Sequence, residues 1–239
     1  MCCRFLLLEQ HYREILQKLG VTGAANFLTR YNVAPGTEIP VVRTKPGRGK
    51  PSPAASREVA DLRWGLVPAW SKSDEGTKLM NARAETLTEK PSFRDAYRRR
   101  RGIIPASGFY EWAKVGRARR GWVFRWKSEQ PFGLAALWEN WTSPDGTALE
   151  TCAVITVAPN ELMQPIHHRM PVMLTPDQFE PWLDPDVTAP EKLAPLLRQP
   201  SAAAMSATRV GSRVNSIQHD DPGCLAPPED DETQFSLGL

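Results

Sequence analysis

The chain has 239 residues, is 41% hydrophobic and 24% charged, and carries a formal net charge of +3. That is ordinary for a soluble globular domain with one sizeable core, and the charge is too mild to imply nucleic acid by itself. The four cysteines, Cys2, Cys3, Cys152 and Cys224, show neither CxxC nor disulfide-ladder spacing, which argues against zinc and against a secreted scaffold. The apolar run Phe5-Leu6-Leu7-Leu8 is too short for a signal peptide or a membrane span, so a reduced, cytosolic compartment is expected.

At the chain start, Met1 precedes Cys2, a residue small enough for an aminopeptidase to remove the methionine. Cys2 would then hold a free α-amine and a thiol on neighbouring carbons, with pKa values near ~7.7–8.0 and ~8.5. An aldehyde condenses with such an amine to an imine, and the sulfur then closes a thiazolidine ring. On these residues alone an unremarked early cysteine, or an acylation site, is the plainer reading. Residues 4–8 read as a strand that would keep Cys2 from fraying. Tyr12, Ile15, Leu16 and Leu19 fall at helical spacing before Gly20, which predicts a core-facing helix.

Arg30-Tyr31-Asn32-Val33-Ala34-Pro35-Gly36 is a turn sequence, since Pro35 fixes its φ and Gly36 permits a positive one. A strand at 39–43, an exposed hairpin loop at 45–56 rich in Pro, Gly, Lys and Ser, and a strand at 61–68 ending at Trp70 follow. Asn81-Ala82-Arg83-Ala84-Glu85-Thr86 packs an amide, a guanidinium and a carboxylate together; alone it reads as a helix cap with surface charges. A helix is predicted over 92–101, its terminal arginines suiting the negative end of the dipole.

Residues 102–112 read as an apolar strand closing on Glu111, set between Tyr110 and Trp112. A carboxyl against aromatic rings is desolvated and its pKa rises, which suits a general acid near neutral pH. Strands are predicted at 121–127, 132–139 and 149–157. The tandem His167-His168 with Arg169, ahead of an apolar strand, weakens the usual reading of a lone structural histidine. Short helices at 176–183 and 190–197 and a last strand at 210–216 complete the body. The Pro- and acid-rich tail from Ala226 is expected to be disordered.

Taken together, these motifs resemble the SOS-response-associated peptidase (SRAP) family. The resemblance rests on Cys2-x-Arg4-Phe5, Tyr31-Asn32-Val33-Ala34-Pro35-Gly36, Trp64-Gly65-Leu66-x-Pro68-x-Trp70 and Asn81-Ala82-Arg83-x-Glu85-Thr86, with Gly108-Phe109-Tyr110-Glu111-Trp112 and His167-x-Arg169-Met170-Pro171. It implies a single α+β domain over residues 1–225, with a curved, barrel-like, mainly antiparallel β core flanked by short helices. It also implies binding to abasic sites in single-stranded DNA, a covalent thiazolidine cross-link through Cys2, and shielding of the lesion in the SOS response. The peptidase name refers to autoproteolytic loss of Met1; lyase-like processing belongs to the same picture. No cofactor and no metal are implied, and a monomer near the nucleoid and replication forks is expected.

Carried over by position, Cys2 matches the nucleophile and Asn81 the amide that orients the ring and the opened sugar. Glu111 matches the proton shuttle, and His167 the histidine that aids sugar opening and reversal. Arg4, Arg83 and Arg169 are expected to face the DNA backbone, Asn32, Pro35, Gly36 and Thr156 to line the groove, and Trp70 to stack or wedge at the lesion. Two positions depart from the family: Cys3, where glycine is usual, and His168, where an acid is usual. The residues 226–239 form a tail whose last stretch, Gln234-Phe235-Ser236-Leu237-Gly238-Leu239, resembles sliding-clamp-binding peptides as much as it does a chance apolar end. An N-terminal-nucleophile amidase and a non-covalent binder of modified DNA remain as rival functions.

Overall fold

The computed structural model describes residues 3–22, 27–45, 57–74, 79–116 and 118–229. Cys2, the loop at 46–56 and the clamp-like peptide at 234–239 lie outside the described residues. The core is organised on a ring of strands. β3 (Glu38–Thr44) pairs with β4 (Arg57–Trp64) on one side and with β6 (Arg101–Ala106) on the other. β6 pairs with β9 (Phe132–Thr142), β9 with β10 (Ala148–Val157), and β10 closes the ring onto β4 in parallel. Three short strands extend it: β5 (Asn81–Arg83) and β11 (Met170–Pro171) on β10, and β12 (Met173–Leu174) on β9.

A second sheet, antiparallel throughout, runs in the order β13 (Met205–Val210), β8 (Ala118–Trp126), β7 (Gly108–Val115), β1 (Phe5–Leu7), β2 (Arg30–Val33). Its two faces follow from period-two alternation. Phe5, Leu7, Phe109 and Phe124 belong to the main core, whereas Leu6, Tyr110, Val123 and Val210 form a second cluster behind the sheet. The short helices α1 (Glu9–Lys18), α2 (Arg94–Arg99), α3 (Pro176–Leu183) and α4 (Pro190–Leu193) bury apolar residues such as Ile15, Tyr97, Trp182 and Leu193 in the main core. The chain is thus one α+β domain with a barrel-like β core.

Several boundaries differ from the sequence reading. The strand expected at 61–68 ends at Trp64, because Gly65 has φ +138° and its N–H turns to the Cys152 carbonyl at 2.9 Å. The expected last strand at 210–216 is instead β13, followed by a 3-10 turn at Ser212–Asn215. Residues 102–112 form two strands in two different sheets, with the corner at Ser107 and Gly108. A Cβ on Gly108 would meet Leu6 Cδ2 at 2.7 Å and the Phe124 carbonyl at 3.0 Å, so the corner needs glycine for close approach.

Arg101 is not the end of a helix: α2 stops at Arg99, and Arg101 opens β6 with 5% exposure. Its guanidinium donates to the carbonyls of Trp182 (2.7 Å), Tyr97 (3.1 Å), Arg98 (2.6 Å) and Asp184 (2.5 Å). Burial pulls its pKa down to about 10, so the charge persists at neutral pH. Arg101→Met leaves these carbonyls without a donor and is expected to destabilise the fold by roughly 3 kcal/mol or more, read by urea unfolding. A loss below roughly 1 kcal/mol would show that water replaces the fork without penalty.

Candidate functional site

β7 carries the acid. Along it, Phe109 faces the main core, Tyr110 the rear cluster, and Glu111 returns to the Phe109 side. Glu111 is 3% exposed, and burial pushes its carboxyl pKa up. The neighbouring β1 brings in the chain start: Phe5 pairs with Phe109, and the Tyr110 N–H donates to the Arg4 carbonyl at 2.9 Å. One residue on, the Cys3 thiol has its pKa raised, chiefly by burial and then by the charge of Glu111. The described part of the chain therefore delivers the residue after Cys2 to the acid.

His167 Nδ1 stands 3.8 Å from Glu111 Oε1, beyond direct hydrogen bonding. The Arg169 N–H reaches Nδ1 at 3.1 Å and donates to it in the tautomer whose proton sits on Nε2. On protonation Nδ1 can turn instead to the Arg169 carbonyl, also at 3.1 Å. Burial lowers the pKa of His167 while it raises that of Glu111. Acid and base are thereby brought towards matched proton affinity, the condition for moving a proton at near-neutral pH. The His168 ring lies 4.3 Å from that of His167, and His167 is the main cause of its lowered pKa.

β5 supplies the amide. Asn81 pairs with Val154 and Arg83 with Thr156, while Ala82 between them enters the core; Asn81 and Arg83 therefore share the opposite face. Trp64 Nε1 donates to the Met80 carbonyl at 2.9 Å and pins the strand's entry. Both polar atoms of the Asn81 amide are buried with no hydrogen-bond partner among the described residues. Arg169 is 12% exposed and reaches across to grip Glu85 at 2.8 and 2.9 Å and the Thr156 carbonyl at 2.6 Å. That grip holds the Glu85 pKa down.

The family model described as "SOS response associated peptidase (SRAP)" matches residues 1–217. The chain belongs to the SRAP family. It is 39% identical over 227 residues to the abasic site processing protein YoqW of Bacillus subtilis (strain 168), covering 93% of this chain and 97% of that one. It is 30% identical over 224 residues to the abasic site processing protein HMCES of Gallus gallus, covering 83% of this chain and 66% of the relative. A crystal structure of a protein from Bacteroides thetaiotaomicron superposes with a TM-score of 0.81 at 27% identity, covering 95% of this chain and 99% of the other.

The SRAP fold brings Glu111, His167, Thr156 and Arg169 together around β7, β10 and the turn before β11, and gathers Asn81 and Arg83 on β5. Two other sequence-predicted residues, Arg4 and Asn32, are hydrogen-bonded within the fold. Arg4 shares the rear face of the sheet with Leu6 and donates to Asn32 Oδ1 at 2.7 Å and the Val214 carbonyl at 2.8 Å. Asn32, 2% exposed, donates in turn to the Ser216 and His219 carbonyls at 2.9 and 2.7 Å. Both tie the segment at 212–219 to the first strands. Pro35 and Gly36 form a turn in which Gly36 has φ +87° and its N–H meets the Trp64 carbonyl at 2.8 Å. Trp70 is 66% exposed. Glu85, which fixes Arg169, went unassigned in the sequence although its motif was visible; its partner lies 84 residues away. Among the described residues no group of three or more His, Cys, Asp or Glu side chains gathers as a metal site would.

Proposed function

We propose that this SRAP protein binds abasic sites in single-stranded DNA and bonds to them through Cys2 once Met1 has been removed, shielding the lesion during the DNA-damage response. The observation that carries the reading is the buried Glu111, beside Cys3 and 3.8 Å from a His167 of depressed basicity. The names of the relatives point to the same lesion.

An abasic deoxyribose is mostly a closed hemiacetal. His167 takes the hydroxyl proton and the ring opens to the aldehyde. The Cys2 amine adds to the carbonyl carbon, giving a carbinolamine. Glu111 donates a proton to its hydroxyl, which leaves as water, and the imine forms. The thiolate adds to the imine carbon, the nitrogen takes up the proton, and the thiazolidine closes. The net change is aldehyde plus aminothiol to ring plus one water. The Asn81 amide, with a donor and an acceptor both open, holds the opened sugar's oxygens. Arg83 neutralises the flanking phosphates, and Arg169 joins it by exchanging Glu85 for phosphate. Autoproteolytic loss of Met1 uses the same nucleophile and acid.

The test is intact-mass spectrometry before and after incubation with abasic single-stranded DNA. The expected result is loss of Met1, then an adduct lighter by one water than protein plus DNA, absent from Cys2→Ala. An undiminished adduct with Cys2→Ala removes the proposal. Turnover of peptides in trans without any DNA adduct would favour the amidase instead.

A further inference from the structure

We propose that Trp122 and Arg209 form a stacking shelf for the nucleobase next to the abasic nucleotide. This rests on the reading of the chain as an abasic-site binder, and it concerns residues that lie outside the sequence motifs of the family. The register of the second sheet puts them there. Glu111 on β7 pairs with Trp122 on β8, and Trp122 pairs with Arg209 on β13. Directly opposed residues of antiparallel strands share a face. One transverse row therefore carries the buried acid, an indole and a guanidinium in sequence.

Alternation along the strands confirms the face. Val123 and Val210 sit in the rear cluster, whereas Phe124 is in the main core and Trp122 packs against its rim, beside Ala113 and Ala207. The Arg209 guanidinium carbon lies 5.4 Å over the Trp122 ring, a cation–π stack. The next residue of β8 on this face is Arg120, paired with Ala113, so a second basic side chain follows Trp122 along the strand.

The occupant follows from continuity and chemistry. Strand spacing of ~4.8 Å sets Trp122 one strand, and Arg209 two strands, from the acid that acts on the lesion sugar. That is the reach of an adjoining nucleotide on the same DNA strand. Every base offers a π-face, and both an indole and a guanidinium plane accept one without regard to sequence. An abasic nucleotide removes its own base from the stack, and its neighbour is left with one face uncovered. A Trp–Arg shelf beside the acid covers that face and holds the sugar in register.

The experiment uses the full chain and a single-stranded oligonucleotide carrying a tetrahydrofuran abasic analogue, which has no aldehyde and cannot be bonded. 2-Aminopurine is placed on one side of the lesion or the other. Quenching is expected at one of the two positions on binding. Trp122→Leu should abolish that quench and weaken binding about tenfold or more, with Trp122→Phe restoring most of both. Arg209→Gln should weaken binding several-fold and lower the salt slope by about one unit. If the Leu variant does not melt cooperatively, the Phe and Gln variants carry the comparison. Parent-like affinity and quench in folded Trp122→Leu and in Arg209→Gln would overturn the shelf while leaving abasic binding intact. Failure of the parent itself to bind the oligonucleotide would remove both proposals.

Discussion

Glu111→Gln is expected to slow adduct formation with abasic single-stranded DNA by about 10²–10⁴-fold, while making the protein more resistant to alkaline unfolding. The two effects have one cause. Burial raises the carboxyl's pKa, so Glu111 can still donate a proton at pH values where an exposed glutamate cannot. Glutamine keeps the shape and a hydrogen bond but transfers no proton to the leaving hydroxyl. For stability, a group that binds its proton more tightly in the folded state contributes fully below its unfolded pKa of ~4.3. That contribution is lost as pH rises through the folded value, because the buried carboxyl must then ionise. Glutamine never ionises. The stability of Glu111→Gln relative to the parent should therefore rise with pH above ~4.3 and level off beyond the folded pKa. Single-turnover rates on denaturing gels and urea melts across pH measure the pair. A rate within about twofold of the parent, or a stability difference flat in pH, would contradict the role given to the acid.

Why Glu111 was legible in the sequence, and Trp122 was not, comes down to the range of the signal. Glu111 is marked in the sequence by Tyr110 and Trp112 on either side, but the strand turns both rings to the rear cluster, so the burial that raises its pKa comes from the opposite face. The α1 helix follows from apolar spacing, and the turn at Gly36 from a residue that tolerates φ +87°. Trp122 joins the acid only through strand register, which no local pattern encodes. The corner at Ser107 and Gly108 was hidden because the strands on both sides are apolar; only the close approach of Leu6 and Phe124 to Gly108 distinguishes them. Arg4, expected to face the DNA backbone, and Asn32, expected among the DNA contacts, are hydrogen-bonded to Val214, Ser216 and His219, contacts across the chain that no local pattern encodes. Arg101 looked like a helix-end cation, and four carbonyls from two separate segments make it a buried strut.

Asn81→Leu is expected to lower the rate of adduct formation about 10²–10³-fold, the loss seen when a preorganised donor is removed from a reacting centre, and to leave the fold as stable or more so. Both atoms of the amide are sealed from solvent with no protein partner among the described residues. A buried polar group in that condition costs about 1–3 kcal/mol, and an apolar side chain of the same shape avoids the penalty. On the proposed reading, the strand pinned by Trp64 holds the donor and acceptor of Asn81 for the opened sugar. Asn81→Asp keeps the shape but offers no donor and brings a charge into the same enclosure, so it should lose both rate and stability. Thermal melts separate the two variants from each other, and binding to the tetrahydrofuran oligonucleotide separates affinity from chemistry. The expected pattern for Asn81→Leu is a melting temperature at or above the parent's, modestly weaker binding and a collapsed covalent rate. A melting temperature several degrees lower would mean that the amide is satisfied within the fold and serves structure. A parent-like covalent rate would mean that the opened sugar is held by other groups, with Arg83 and His167 then the first to be substituted.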